Sequence, residues 1–381
     1  YGHFDKQPPM TGWSEGLGPT NPVIIDDKLY GRGSVDDGYA IFAYILAIKA
    51  LQVNNLPHAR VCILLEGDEQ SGSSHLKDYL EKLEGRIGTP SMIIISDAGC
   101  LNYEQLWITT TLRGHVKAKL TVKIITEGVH SGDASGVVPD TFRIIRMLLS
   151  RIEDTKTGKI ISDFEDHIPG YRYEEAQQVS KYIGNGIFEK FPWIDPKNQQ
   201  SIHSDPFEQY LNRIWRPQLV VVGQDGLPST DKAGNVLRPE TSVQLALRIP
   251  PTMNADKAFE RLKEILEKDP PYGAEVKVGR GYNNFGWNAT EYKDYLDKSL
   301  KEASEIYFGK PLMKYGEGGS IPFVNRLSDK YPKAQIIVTG VCGPNANAHG
   351  PNEMLNLPYT KKFISCFAYV LATTYEKLRQ E

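Results

Sequence analysis

The chain has 381 residues, enough for two domains that each bury a sizeable core. Its 40% hydrophobic and 24% charged residues are ordinary for a globular protein, and a net charge of −3 without a basic block excludes a nucleic-acid binder. No apolar run approaches the roughly 18 residues of a membrane span. Cys62, Cys100, Cys342 and Cys366 lie far apart and form no C-x-x-C pair, which argues against structural zinc or a disulfide framework. A reducing, cytoplasmic setting is the resulting expectation. The chain opens at YGHFD without an initiator Met, as though inside an element, so a fragment of a longer product is expected.

In chain order, KLYGRGSVDDG reads as a strand end and turn, followed by a helix over residues 39–51. VCILL (61–65) has the length and composition of a buried strand, with a helix near 74–83. Further strands are expected at 92–95 and 106–112, and strands alternating with helices imply an α/β layer with a largely parallel sheet. From His115 the pattern changes. VKAKLTVKII alternates as a half-buried strand, a helix follows at 142–152, and strands are expected at 218–222 and 242–249. A helix at 256–268 and a strand at 274–278 complete a β-α-β-β-α-β series, a ferredoxin-like α+β domain. The polar and aromatic stretch 154–216 interrupts it and has no assigned structure. After Tyr282 the α/β character returns, with helices at 291–308 and 359–378 and a strand at 334–339. The expected organisation is a discontinuous domain, 1–114 and 283–381, with residues 115–282 inserted in it.

Acids and histidines recur where these strands end. His3-Phe4-Asp5 opens the chain, Asp36-Asp37 follows a glycine-rich turn, and Asp68-Glu69-Gln70 follows VCILL. Asp97 follows MIIIS, and His349 lies in NANAHGPNE after QIIVTG. Ligands of open α/β sheets bind beyond the carboxyl ends of the strands. Singly, each Asp reads as a cap or turn residue and each His as a surface group. Together, at equivalent topological places, they read as a metal site, whose cation would offset the crowded carboxylates.

The motifs GHFD, LYGRGSVDDG, LLEGDEQSGS, IISDAG, LRG, VHSGDASG, EGGSIP and AHGPNEML occur in one order along the chain. In that order and spacing they resemble the dinuclear zinc exopeptidases, the family of carnosinase, cytosolic non-specific dipeptidase, glutamate carboxypeptidases and acetylornithine deacetylase. The dipeptidase branch is the nearest likeness, over essentially the whole chain. The resemblance implies a zinc-exopeptidase-like catalytic domain, with the inserted domain serving as lid and dimerisation domain of a homodimer. It implies two zinc ions, or one, or manganese or cobalt in their place. His3 and Asp97 would hold one metal and His349 the other, with Asp36 bridging. Asp5 would orient the His3 imidazole, and Glu69 would be the general base acting on metal-activated water. His130 would reach a partner subunit's site. Arg248 would hold the substrate's C-terminal carboxylate, and Asn235 with Glu317, Gly318, Gly319 and Ser320 would line the substrate pocket. The expected reaction is hydrolysis of a dipeptide or short peptide with a free C-terminal carboxylate.

One position departs from the family pattern: Gln70 stands where a second metal-binding Glu is expected. A carboxamide oxygen is neutral and binds zinc less strongly than a carboxylate. Two alternatives stay open, an amidohydrolase that deacylates N-acyl amino acids at the same site, and a non-catalytic relative that keeps only the fold. Gln70 and the abrupt start favour the latter; Glu69, His130 and Arg248 together oppose it.

Overall fold

A computed structural model describes residues 1–380, which divide into two compact units. The first comprises residues 1–110, 289–315 and 322–380, and the second residues 111–288 and 316–321.

In the first unit, strand Met92–Ile95 pairs in parallel with Gln335–Thr339, which runs antiparallel to the start of Trp107–Leu112. Gly2–His3 pairs in parallel with Leu65–Glu66. A separate antiparallel set joins Val23–Ile25, Lys28–Tyr30 and Met354–Asn356. Two short ladders are thus parallel and others antiparallel, so the unit is mixed in strand direction. Helices Ala40–Val53, Asp294–Phe308 and Leu357–Leu378 pack together beside these strands. Ala40, Ala43, Ala47 and Leu51 recur at helical spacing, and their small side chains bury one stripe of the first helix. The last helix starts where the Asn356 side chain accepts the Tyr359 amide and Pro358 occupies the first turn.

VCILL differs from its expected form. Only Leu65 and Glu66 join a ladder, because Gly2–His3 offers two residues of pairing edge and no other described strand lies alongside 61–64. Val61 and Cys62 are exposed, so composition suited a buried strand that the chain around it does not complete.

The second unit is built on a four-stranded antiparallel sheet in the order Glu275–Asn284, Gly114–Lys123, Glu240–Ile249, Gln218–Asp225. Helices Thr141–Leu149 and Ala255–Glu267 cover one face. Val116, Ala118, Leu120 and Val122 alternate along the central strand and meet Ile144, Ile145, Leu148, Leu262 and Leu266 from those helices. The unassigned stretch 154–216 contains helices Gly170–Ile183 and Pro206–Ile214. Asp205 caps the latter by accepting the Phe207 amide, with Pro206 at its start. Among the described residues, no helix is long and apolar enough to cross a membrane.

Candidate metal centre

Short strands deliver the chemistry of the first unit. Gly2–His3 ends on His3, and Asp97 follows Met92–Ile95 by two residues. Glu69 and Gln70 begin a short 3-10 turn after Leu65–Glu66, while Asp36 lies in the turn before helix Ala40–Val53. His349 comes from the loop after Gln335–Thr339.

These side chains converge. His3 is buried, and its Nε2 lies 3.0 Å from Asp36 Oδ1, 3.6 Å from Asp97 Oδ1 and 3.8 Å from Glu69 Oε2. One donor atom each from His3, Asp36 and Asp97 can be chosen so that all lie within 4.8 Å of one another. On the other ring nitrogen, Nδ1 sits 3.2 Å from Asp5 Oδ1 and 3.1 Å from the Asp5 carbonyl oxygen. Asp36 presents its second oxygen, Oδ2, to His349 Nε2 at 2.7 Å. Asp36 therefore lies between the two histidines. Gln70 also reaches it: Nε2 donates to Oδ1 at 2.9 Å and to Oδ2 at 3.0 Å.

The electrostatics record the crowding. Burial alone would lower the pKa of His3, but hydrogen bonds and charge from Asp36 and Asp97 outweigh it and push it up to about 12. Burial raises Asp36, yet His3 and His349 hold it well below the usual carboxylate range. Glu69 is pushed up to about 8, first by burial and then by the charge of Asp97. Asp37, whose Oδ2 accepts the His3 amide at 3.3 Å, is raised well above its ordinary value by burial and Asp97. Several carboxylates thus press on one imidazole with too little positive charge to balance them. That imbalance, and a nitrogen-and-oxygen donor set of suitable spacing, fit a divalent cation held by His3, Asp36 and Asp97.

A second layer, not singled out from the sequence, ties the loops together. Buried Glu353 accepts the amides of Val35 at 3.1 Å and Asp36 at 3.2 Å through Oε1, and Arg32 NH1 at 2.7 Å through Oε2. Arg32 NH2 donates in turn to the carbonyl oxygen of His349 at 3.3 Å. One buried ion pair so anchors the loops of both Asp36 and His349. Its signal was present, since Arg32 and Glu353 stand inside LYGRGSVDDG and AHGPNEML.

The other sequence candidates lie in the second unit and form two groups. Val129–His130 pairs antiparallel with Val236–Leu237, and the Ser131 amide donates to the Asn235 carbonyl at 3.0 Å. His130 and Asn235 are thereby neighbours, both exposed, and His130 Nδ1 accepts the Gly132 amide at 3.1 Å. Arg248, half-buried on Glu240–Ile249, donates to Ser320 Oγ at 3.4 Å. Arg113 Nε donates to the Gly318 carbonyl at 3.2 Å, which fixes the Glu317-Gly318-Gly319-Ser320 loop beside it. Burial lowers the pKa of Arg248. That of His115, its cross-strand neighbour, falls to about 4 through burial and then the charge of Arg248.

An imidazole and two carboxylates around one point, with a further carboxylate alongside, fit the centre of a metal-dependent hydrolase. Residues 1–373 match Peptidase family M20/M25/M40, and the chain belongs to that family of metallopeptidases. It is 24% identical over 372 residues to the cysteinylglycine-S-conjugate dipeptidase of Corynebacterium striatum, covering 93% of this chain and 76% of that protein. Identity to the Beta-Ala-His dipeptidase of Homo sapiens is 24%, covering 96% and 73%. Among solved structures, the dipeptidase Dug1p from Saccharomyces cerevisiae superposes with a TM-score of 0.76 at 21% identity, covering 99% of this chain and 79% of that one. The metallo-carboxypeptidase Sso-CP2 from Sulfolobus solfataricus gives 0.78 at 21% identity, covering 98% and 84%. Both structures share the fold.

Replacing Glu353 with Ala strands the Arg32 guanidinium in a buried place. It is expected to cost about 3–5 kcal/mol in denaturant unfolding and to weaken divalent-cation affinity about 10–100-fold by calorimetric titration. Wild-type values for both would show that the pair does not hold the two loops.

Proposed function

We propose that this chain is a zinc-dependent dipeptidase, cleaving the peptide bond of a dipeptide or short peptide with a free C-terminal carboxylate. The observation that carries the reading is the His3, Asp36 and Asp97 donor set with Glu69 beside it. The dipeptidase names of the relatives support the substrate class. His3, Asp36 and Asp97 would hold the cation, which would supply acidification of water and polarisation of the scissile carbonyl.

Glu69 is the general base. Its carboxylate accepts a proton from the attacking water as oxygen bonds to the carbonyl carbon, then returns that proton to the leaving amine as the C–N bond breaks. Its carboxylate oxygen Oε2 lies 3.8 Å from His3 Nε2, beside the donor set that would hold the cation. Asp5 holds the His3 ring through Nδ1, which leaves Nε2 directed at the donor cluster.

Arg248 is the proposed receiver of the substrate carboxylate. Its guanidinium is half-buried, has no ion-pair partner among the described residues, and shares its surroundings with Arg113. A planar fork of donors in such a place suits a carboxylate. Ser320, Glu317, Gly318, Gly319 and Asn235 are read as its companions in substrate binding. The same reading makes the second unit a homodimer interface, with His130 contributed to the other copy. In its support, Gln218–Asp225 is a sheet edge whose Val220, Val221 and Val222 are exposed. A cytoplasmic setting is part of the same reading.

Glu69→Gln is expected to lower kcat for dipeptides about 10²–10⁴-fold with bound cation unchanged; near wild-type turnover removes Glu69 from the role. Arg248→Ala is expected to lower kcat/KM about 10–100-fold, chiefly through KM, for peptides with a free carboxylate. C-terminally amidated peptides should not register that change, and an equal loss on both would refute the carboxylate contact. Sedimentation of the full chain at assay concentration is expected to give a dimer, and a monomer that hydrolyses dipeptides would contradict the role of His130.

A further inference from the structure

The Gln70 carboxamide is held at both ends. Its nitrogen donates to both oxygens of Asp36, at 2.9 and 3.0 Å. Its oxygen accepts from the carboxamide nitrogen of Gln7, and its backbone amide donates to Asp5 Oδ2 at 2.9 Å. Both ends of the side chain are therefore committed, with the N–H groups facing the carboxylate and the oxygen facing away. An N–H donor cannot ligate a cation. Turning the carboxamide over would set its oxygen against Asp36 and its nitrogen against the Gln7 nitrogen, so Gln7 would have to turn as well.

Few donors are left for a cation on the outer side of Asp36. His349 offers Nε2, already 2.7 Å from Asp36 Oδ2. Glu353 is committed to Arg32 and to the amides of Val35 and Asp36. Glu69 Oε2 lies 3.8 Å from His3 Nε2 and is the general base of the proposed reaction. One shared carboxylate and one exposed imidazole make a poor zinc site, which ordinarily draws on four donors.

We propose that this chain is a one-metal enzyme, in which the carboxamide of Gln70, oriented by Gln7, takes the place of a second cation beside Asp36 and His349. The proposal rests on the reading of His3, Asp36 and Asp97 as a cation site. Gln70 neutralises nothing, but its N–H groups satisfy the Asp36 oxygens that a second cation would otherwise engage. Gln7 acts as a positioning residue, since it touches the centre only through Gln70.

The test is zinc stoichiometry of the purified full chain, measured by equilibrium dialysis with elemental analysis, alongside circular dichroism to confirm folding. One zinc per chain is expected for wild type and for His349→Ala, and two for Gln70→Glu. Two zinc ions in wild type, falling to one in His349→Ala, would overturn the proposal while leaving the cation site intact. One zinc in both wild type and folded Gln70→Glu would overturn the role given to Gln70. No bound zinc in wild type would instead refute the cation site at His3, Asp36 and Asp97, and with it the proposed hydrolase. Should Gln70→Glu fail to fold, the comparison of wild type with His349→Ala still decides between one ion and two.

Discussion

Everything in the candidate site turns on the Asp36 carboxylate. One of its oxygens meets His3, the other meets His349, and the Gln70 carboxamide spans both. The backbone that carries it is anchored separately, by Glu353 on the amides of Val35 and Asp36. A carboxylate so engaged stays ionised, held below its ordinary pKa by the two imidazoles despite being mostly buried. Its fixed charge then sets the protonation of its neighbours: with Asp97 it draws His3 up, and with Asp97 and burial it discourages ionisation of Glu69.

Glu353 explains how loops distant in sequence can meet with such accuracy. Asp36 and His349 are separated by most of the chain, and each sits in a glycine-containing turn. The Arg32–Glu353 pair spans the same two segments, and it is buried, so breaking either partner leaves a charge without compensation. The pair therefore acts less as a source of stability than as a constraint on which loop geometry is permitted. A cation site with ligands on separate loops needs such a constraint, because a misplaced ligand costs affinity.

Much of this was legible in the sequence. The acids and histidines at strand ends pointed to His3, Asp36, Glu69, Asp97 and His349, and these converge in the first unit. The amphipathic helices Thr141–Leu149 and Ala255–Glu267 and the alternating strand Gly114–Lys123 were readable because each buries one face. VCILL was not, since composition reports burial potential but not whether a pairing strand is present. Helix Gly170–Ile183 escaped for a different reason. Its buried face includes Arg172, paired with Glu175, so apolar periodicity is weak there. Helix Pro206–Ile214 carried a usable signal in Asp205-Pro206, a cap followed by proline. Gln7 had no signal at all, because its meaning exists only through the orientation of Gln70.

Charge counting connects that orientation to the chemistry. His3, Asp36 and Asp97 as ligands contribute two negative charges, which one divalent cation neutralises. A carboxylate at position 70, about 3 Å from Asp36, would add a like charge that only a further cation could offset. The carboxamide is uncharged, and its N–H groups donate to both Asp36 oxygens instead.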